Sequence, residues 1–216
     1  MPNHVVTHCT VIGSDKDIQE FEDRFIGTQM MDFNRITPMP DSIAKMEESS
    51  FAQQAEKFVL YASNKNYAFE NPPSNDIVNI LNKINDGQNY AFPIYDLANL
   101  YLDLHPEAKE IGSKRLKNIA EHGSPSWYQW ALKHWGTKWN SYDFKLISET
   151  PYEFVFGTAW SFPEPIFKRL AWLFTRLGFD CKCVDEMRTF VGEGWFSYEN
   201  SCLAMNYRAL RDKDAG

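Results

Sequence analysis

The hydrophobic period of this chain changes twice, and that constrains its fold more than any single residue. Residues 4–12, His-Val-Val-Thr-His-Cys-Thr-Val-Ile, are largely β-branched and end at Gly13, so they read as a strand. A helix follows. Ser14 or Asp15 can cap it, Asp15 and Asp17 suit its positive end, and Ile18, Phe21, Phe25 and Ile26 fall on one face before Gly27. Asp32 to Thr37 reads as a short strand stopped by Pro38 and Pro40. From Asp41 to about Trp135 the period is helical, with apolar sets such as Phe51, Ala55, Phe58 and Val59, or Ile94, Leu97, Ala98 and Leu102. Breakers at Asn71-Pro72-Pro73, Asp86-Gly87, Pro106 and Gly123-Ser124-Pro125 divide this block into several helices. After Asn140 the alternation returns. Tyr142, Phe144 and Leu146, then Glu153 to Trp160, form a hairpin turned by Thr150-Pro151. Pro163 and Pro165 open another helix, which ends at Gly178, and Asp180 to Asp185 and Gly194 to Glu199 are the last strands.

That order specifies an α+β fold: a ferredoxin-like split β-α-β antiparallel sheet, helices on one face, and a large all-helical insertion. The sheet domain is expected over residues 1–40 and 136–216 and the insertion over 41–135. Aromatics at 15% and hydrophobics at 44% imply a core packed around large rings and exclude disorder.

A net charge of -7, from 29 acidic and 22 basic residues, argues against a general nucleic-acid binder, so nucleic acid is not an expected partner. No stretch is long and apolar enough to cross a bilayer, so no membrane partner is expected. Met-Pro-Asn-His lacks the basic region and apolar run of a secretory signal, and Cys9, Cys181, Cys183 and Cys202 then read as reduced thiols. The expected place is the cytoplasm of a host cell.

Four segments carry a family likeness: the opening Met-Pro-Asn, Asp32-Phe33-Asn34-Arg35-Ile36-Thr37-Pro38-Met39-Pro40, Trp135-Gly136-Thr137-Lys138-Trp139-Asn140, and Thr158-Ala159-Trp160-Ser161. In this order the chain resembles the YubB-like family of plasmid and phage proteins, with His4 where that family usually has tryptophan and with a long helical insertion. The resemblance implies a ferredoxin-like carboxy-terminal domain and a mobile-element setting. It implies no catalytic residue, since the family's activity is unassigned.

Four of the seven tryptophans fall between Trp127 and Asn140, where Trp127, Trp130, Leu132 and Trp135 can face inward and Gly136 can stop a helix. The candidate binding surface is Trp135, Lys138, Trp139, Asn140 and Trp160, joined by Asp32 and Asn34 if the short strand lies alongside. The competing reading makes these rings core pillars, with Asn140 and Asp32 holding the turn through backbone hydrogen bonds. His4 and His8 share one face of their strand and Cys181 and Cys183 one face of theirs, so neighbouring strands could bring a zinc set together. Their spacing does not support it, and no metal or cofactor is expected.

Asp185, Glu186, Glu193 and Glu199, with Arg188, read as solvated edge charges, and no catalytic residue is assigned. Gly112 to Lys117, with Lys114, Arg115 and Lys117, reads as a solvated helix face. The expected function is a non-catalytic binding protein of a phage or plasmid that masks or sequesters a host protein, such as a component of host defence. The alternatives are a sponge for a small nucleotide or signalling molecule, stacked by Trp135, Trp139 and Trp160 near Lys138, and an enzyme of nucleic-acid metabolism. The oligomeric state is open.

Overall fold

The computed structural model describes residues 3–84, 93–198 and 203–209. Its elements run β1 (His4–Ile12), α1 (Asp15–Phe25), α2 (Phe33–Ile36), α3 (Asp41–Ala44), α4 (Ser50–Ser63), α5 (Tyr67–Glu70), α6 (Asn75–Ile84), α7 (Ile94–Leu104), α8 (Pro106–His122) and α9 (Trp127–His134). They continue as β2 (Tyr142–Glu149), β3 (Tyr152–Ala159), α10 (Glu164–Leu173), β4 (Gly178–Asp185), β5 (Phe190–Ser197) and β6 (Leu203–Ala209). The chain forms two compact units, a sheet unit of Met1–Met39 and Trp130–Gly216 and a helical unit of Pro40–Gln129, dividing within α9. The fold is α+β.

The sheet is six-stranded, in the order β2-β3-β1-β4-β5-β6, with antiparallel pairs throughout. Side chains alternate along a strand, so Val5, Thr7, Cys9 and Val11 of β1 are buried while Val6 and Ile12 face the other way and stay half-exposed. The buried face meets α1 and α10. Phe21 stacks on Phe154 at 6.1 Å and meets Phe179 edge-on at 5.6 Å, and Phe167 stacks on Phe156 at 6.1 Å. Burying each such ring stabilises the sheet unit by roughly 1.5–3 kcal/mol. Ser14 caps α1, its hydroxyl accepting from the Asp17 N–H at 3.3 Å.

Asp32 to Thr37 is not a strand. Phe33 and Ile36, three apart, are both buried, which a one-turn helix achieves and an alternating strand does not. Asp32 caps that turn, accepting from Asn34 N at 3.0 Å, and the extended pairing nearby is the single bridge Ile26–Met31. β5 begins at Phe190, ahead of the expected Gly194, because Gly192 and Gly194 blur its alternation. β6 was not expected, although Leu203, Met205 and Tyr207 alternate with Ala204, Asn206 and Arg208 as a strand requires. Glu199, Cys202 and the Asp86-Gly87 breaker lie outside the described residues.

In the helical unit Phe58 of α4 stacks on Tyr101 of α7 at 3.9 Å, within a cluster that includes Ala55, Ile77, Leu81 and Leu102. The basic stretch of α8 is not a solvated face. Lys114 and Lys117 do face solvent, but Arg115 is 1% exposed, because Ala108, Gly112 and Arg115 share the stripe that meets α4. Gly112 makes that approach possible: a Cβ there would lie 2.4 Å from the Ala55 carbonyl oxygen. Gly112→Ala is expected to destabilise the helical unit by about 1–3 kcal/mol through overpacking, read as a lower urea midpoint.

Candidate functional site

The tryptophan-rich segment becomes a turn because Gly136 adopts φ 79°, where its N–H and that of Trp135 both donate to the Ala131 carbonyl, at 3.1 and 2.8 Å. A side chain at Gly136 would meet Pro165, the Cβ lying 2.6 Å from its Cδ. Beyond it, Thr137 is fully buried and donates to the Ala159 carbonyl at 2.6 Å. Ser161 Oγ donates to Gly136 O at 2.5 Å and Thr158 Oγ1 to Ser161 O at 2.7 Å. The turn and the end of β3 are thereby tied through three hydroxyls.

The seven candidate residues divide into two groups around this turn. Trp135, 7% exposed, donates its indole N–H to Thr37 O at 2.9 Å and packs edge-on against Phe33 and Trp130. Asn140 Oδ1 accepts from Phe33 N at 2.8 Å and Ser141 N at 2.9 Å, and its Nδ2 donates to Asp32 Oδ1 at 2.8 Å. Asn34 Oδ1 accepts from Met39 N at 2.8 Å. These four side chains brace the backbone. Leu132, expected to face inward, is 37% exposed, while Trp130 takes the buried position on α9.

Trp139, Lys138 and Trp160 form the second group. Trp139 is 39% exposed and Trp160 is 38% exposed. The Lys138 ammonium lies 4.9 Å from the centroid of each indole, within cation–π range of both. Trp160 holds φ 76°, a left-handed conformation that costs a non-glycine residue roughly 1–2 kcal/mol, and its N–H donates to Asn3 O at 2.7 Å. A strained backbone thus presents a half-exposed aromatic ring. The trio offers apolar area with a central positive charge.

The zinc set does not assemble. β1 and β4 are neighbours, but the register pairs His8 with Lys182 and Cys9 with Cys181, so the cysteines lie on the helix-covered face and the histidines on the opposite one. Cys9 and Cys181 are fully buried with sulfurs 3.6 Å apart, and burial pushes the Cys181 thiol well up. Among the edge carboxylates, Glu186 and Glu193 are exposed with Arg188, but Asp185 is not a solvated charge. It is buried and accepts from Asn3, Thr189 and Phe190, holding the β4–β5 turn.

Sequence reasoning missed one pair on the open sheet face. Tyr142 donates its hydroxyl to Thr158 O at 2.8 Å, so its oxygen is left to accept from His4 Nδ1 at 2.6 Å. Burial pushes the Tyr142 phenol up, with Asp143 and Glu186 adding to it. The pair lines a groove of about 540 Å³ with Val6, Lys145 and Val155. The two residues are far apart in sequence, and only strand register brings them together. Among the described residues no cluster of three His, Cys, Asp or Glu could hold a metal, and no helix is long and apolar enough to cross a membrane.

No family model matches the chain, and no curated protein matches it. Among solved structures it is similar to a protein api92 from Yersinia pseudotuberculosis, of the family described as DUF1281, at 6% identity and a TM-score of 0.41, covering 98% of this chain and 99% of that one. That similarity assigns no role to any residue here.

Proposed function

We propose that this protein is a non-catalytic binding protein that acts by occupying a partner protein through Trp139, Lys138 and Trp160. One observation carries the reading: two indoles left half-exposed over a shared lysine, on a turn whose other side chains are committed to holding its backbone. Rigid aromatic anchors beside a cation give large contact area at small entropic cost, the composition enriched at interface hot spots. Partners that fit are protein surfaces with an apolar patch beside a carboxylate. A nucleotide sponge is disfavoured by the same geometry, since Lys138 already lies over the indole faces on which a base would stack.

The strand order β2-β3-β1-β4, with α1 and α10 as crossovers, supports a ferredoxin-like core extended at one edge by β5 and β6. With the YubB-like blocks, this supports membership of that plasmid and phage family, and hence action in a host cytoplasm against a host protein such as a defence component. The tagged chain, incubated with bacterial host lysate, is expected to retain a stoichiometric protein that the Lys138→Glu variant does not. Release of an ultraviolet-absorbing small molecule on heating, with no retained protein, would replace this reading with the sponge.

A further inference from the structure

Cys9 of β1 and Cys181 of β4 stand directly opposite each other in the antiparallel register, in the buried core of the sheet unit. Both are free thiols, and the Cys181 S–H donates to the Cys9 sulfur at 3.6 Å. Opposed residues of such a pair have Cα atoms roughly 4.5–5.5 Å apart, inside the span of roughly 4.4–6.8 Å that a disulfide tolerates. A sulfur–sulfur bond of about 2 Å therefore needs only small rotations about the two Cα–Cβ bonds and a slight drawing together of the strands. Cys183 is not placed to compete. It lies two residues further along β4, opposite Thr7 on one side and Gly192 on the other. The pair is not part of a metal set either, since among the described residues no three ligands gather.

We propose that Cys9 and Cys181 are a latent disulfide, closed by a small-molecule disulfide of the glutathione type, which locks β1 to β4 at the centre of the sheet. In the first step one protein thiol gives up its proton and its sulfur attacks the oxidant, forming a mixed disulfide and releasing half of the oxidant as a thiol. In the second, the opposing protein sulfur displaces the other half. Two protein thiols and one small disulfide thus become one protein disulfide and two small thiols, the protein losing two electrons and two protons that the oxidant gains. Burial sets the rate. The oxidant reaches the pair only while β1 and β4 part locally, and the Cys181 thiol, pushed well up by the same burial, attacks slowly at neutral pH. The pair is therefore silent to brief exposure and closes under sustained oxidation. The two cysteines are 172 positions apart, so the bond restricts the unfolded chain over a long loop and holds the central strands against separation.

The test incubates the full folded chain with excess oxidised glutathione at about pH 8.5, where thiolate is available, then alkylates the remaining thiols in denaturant and digests with trypsin without reduction. Cleavage after Lys16, Arg176, Lys182 and Arg188 puts Cys9, Cys181 and Cys183 on three separate peptides. The expected product joins Met1–Lys16 to Leu177–Lys182 and leaves Cys183 alkylated. The oxidised chain is expected to unfold at a urea midpoint at least about 0.5 M above that of its reduced form. Cys181→Ala should lose both the cross-link and the rise in midpoint. Alkylation of both Cys9 and Cys181 after prolonged oxidation, a glutathione adduct that persists on either, or a cross-link from Cys9 to Cys183 would overturn the proposal. So would a midpoint that oxidation leaves unchanged or lowers. The peptide map is read on the unaltered chain and does not depend on any variant folding.

Discussion

Arg115→Met is expected to unfold the helical unit at temperatures where the unaltered chain stays folded. The guanidinium donates from Nε to Glu56 at 2.9 Å and from an Nη to the Glu47 carbonyl at 3.1 Å and to Glu48 at 3.3 Å. Glu48 is also held by Gln53, Gln129 and Ser126. Removing the arginine leaves two largely buried carboxylates facing each other across its place, a loss of about 3–5 kcal/mol. For a unit of this size that lowers the melting midpoint by more than about 10 °C. Adding Glu48→Gln and Glu56→Gln should recover most of the loss, because the penalty is the uncompensated charge and not the missing attraction. A single variant that melts within about 2 °C of the unaltered chain would mean the cluster is solvated in solution.

Asp185→Ala should cost the sheet unit about 3 kcal/mol, because the side chain is buried and all its donors lose their acceptor together. The same carboxylate gives stability a pH dependence. Burial alone would push its pKa up, but the N–H groups of Phe190 and Thr189, the Asn3 amide and the Thr189 hydroxyl outweigh it and hold it below the ordinary 3.8. Glu48 is likewise held below 4.5, with hydrogen bonds from Ser126, Gln53 and Gln129 and the charge of Arg115 overcoming burial. A depressed folded-state pKa contributes stability that is complete above the unfolded value and disappears as pH falls through the folded one. Urea midpoints should therefore be flat above about pH 5 and drop below it, and Asp185→Asn should flatten the acid limb while lowering the neutral plateau.

What could be read from the chain was local. β1 runs His4–Ile12 as its β-branched alternation and Gly13 require, and Ser14 caps α1 as its place before Asp15 and Asp17 suggests. Misreadings came where two periods competed. Phe33, Arg35 and Thr37 alternate, yet Phe33 and Ile36 are the pair that is buried, and their separation of one helical turn prevailed. Arg115 was legible in principle, since Ala108, Gly112 and Arg115 follow helical spacing, but its charge masked the stripe. The bracing role of Asn140 and Asp32 follows from residue type, whereas the meeting of Lys138 with Trp139 and Trp160 depends on a left-handed Trp160 that no pattern reveals.

Trp160→Gly tests the central claim most directly. Glycine adopts φ 76° without penalty, so the substitution relieves backbone strain while removing a half-exposed ring, and these effects nearly offset each other. The measurement is partner retention from host lysate beside the melting midpoint of the same preparation. The account predicts that the midpoint moves by less than about 4 °C while the retained protein is lost. Undiminished retention, or a midpoint that collapses together with it, would contradict the account and return these tryptophans to the fold.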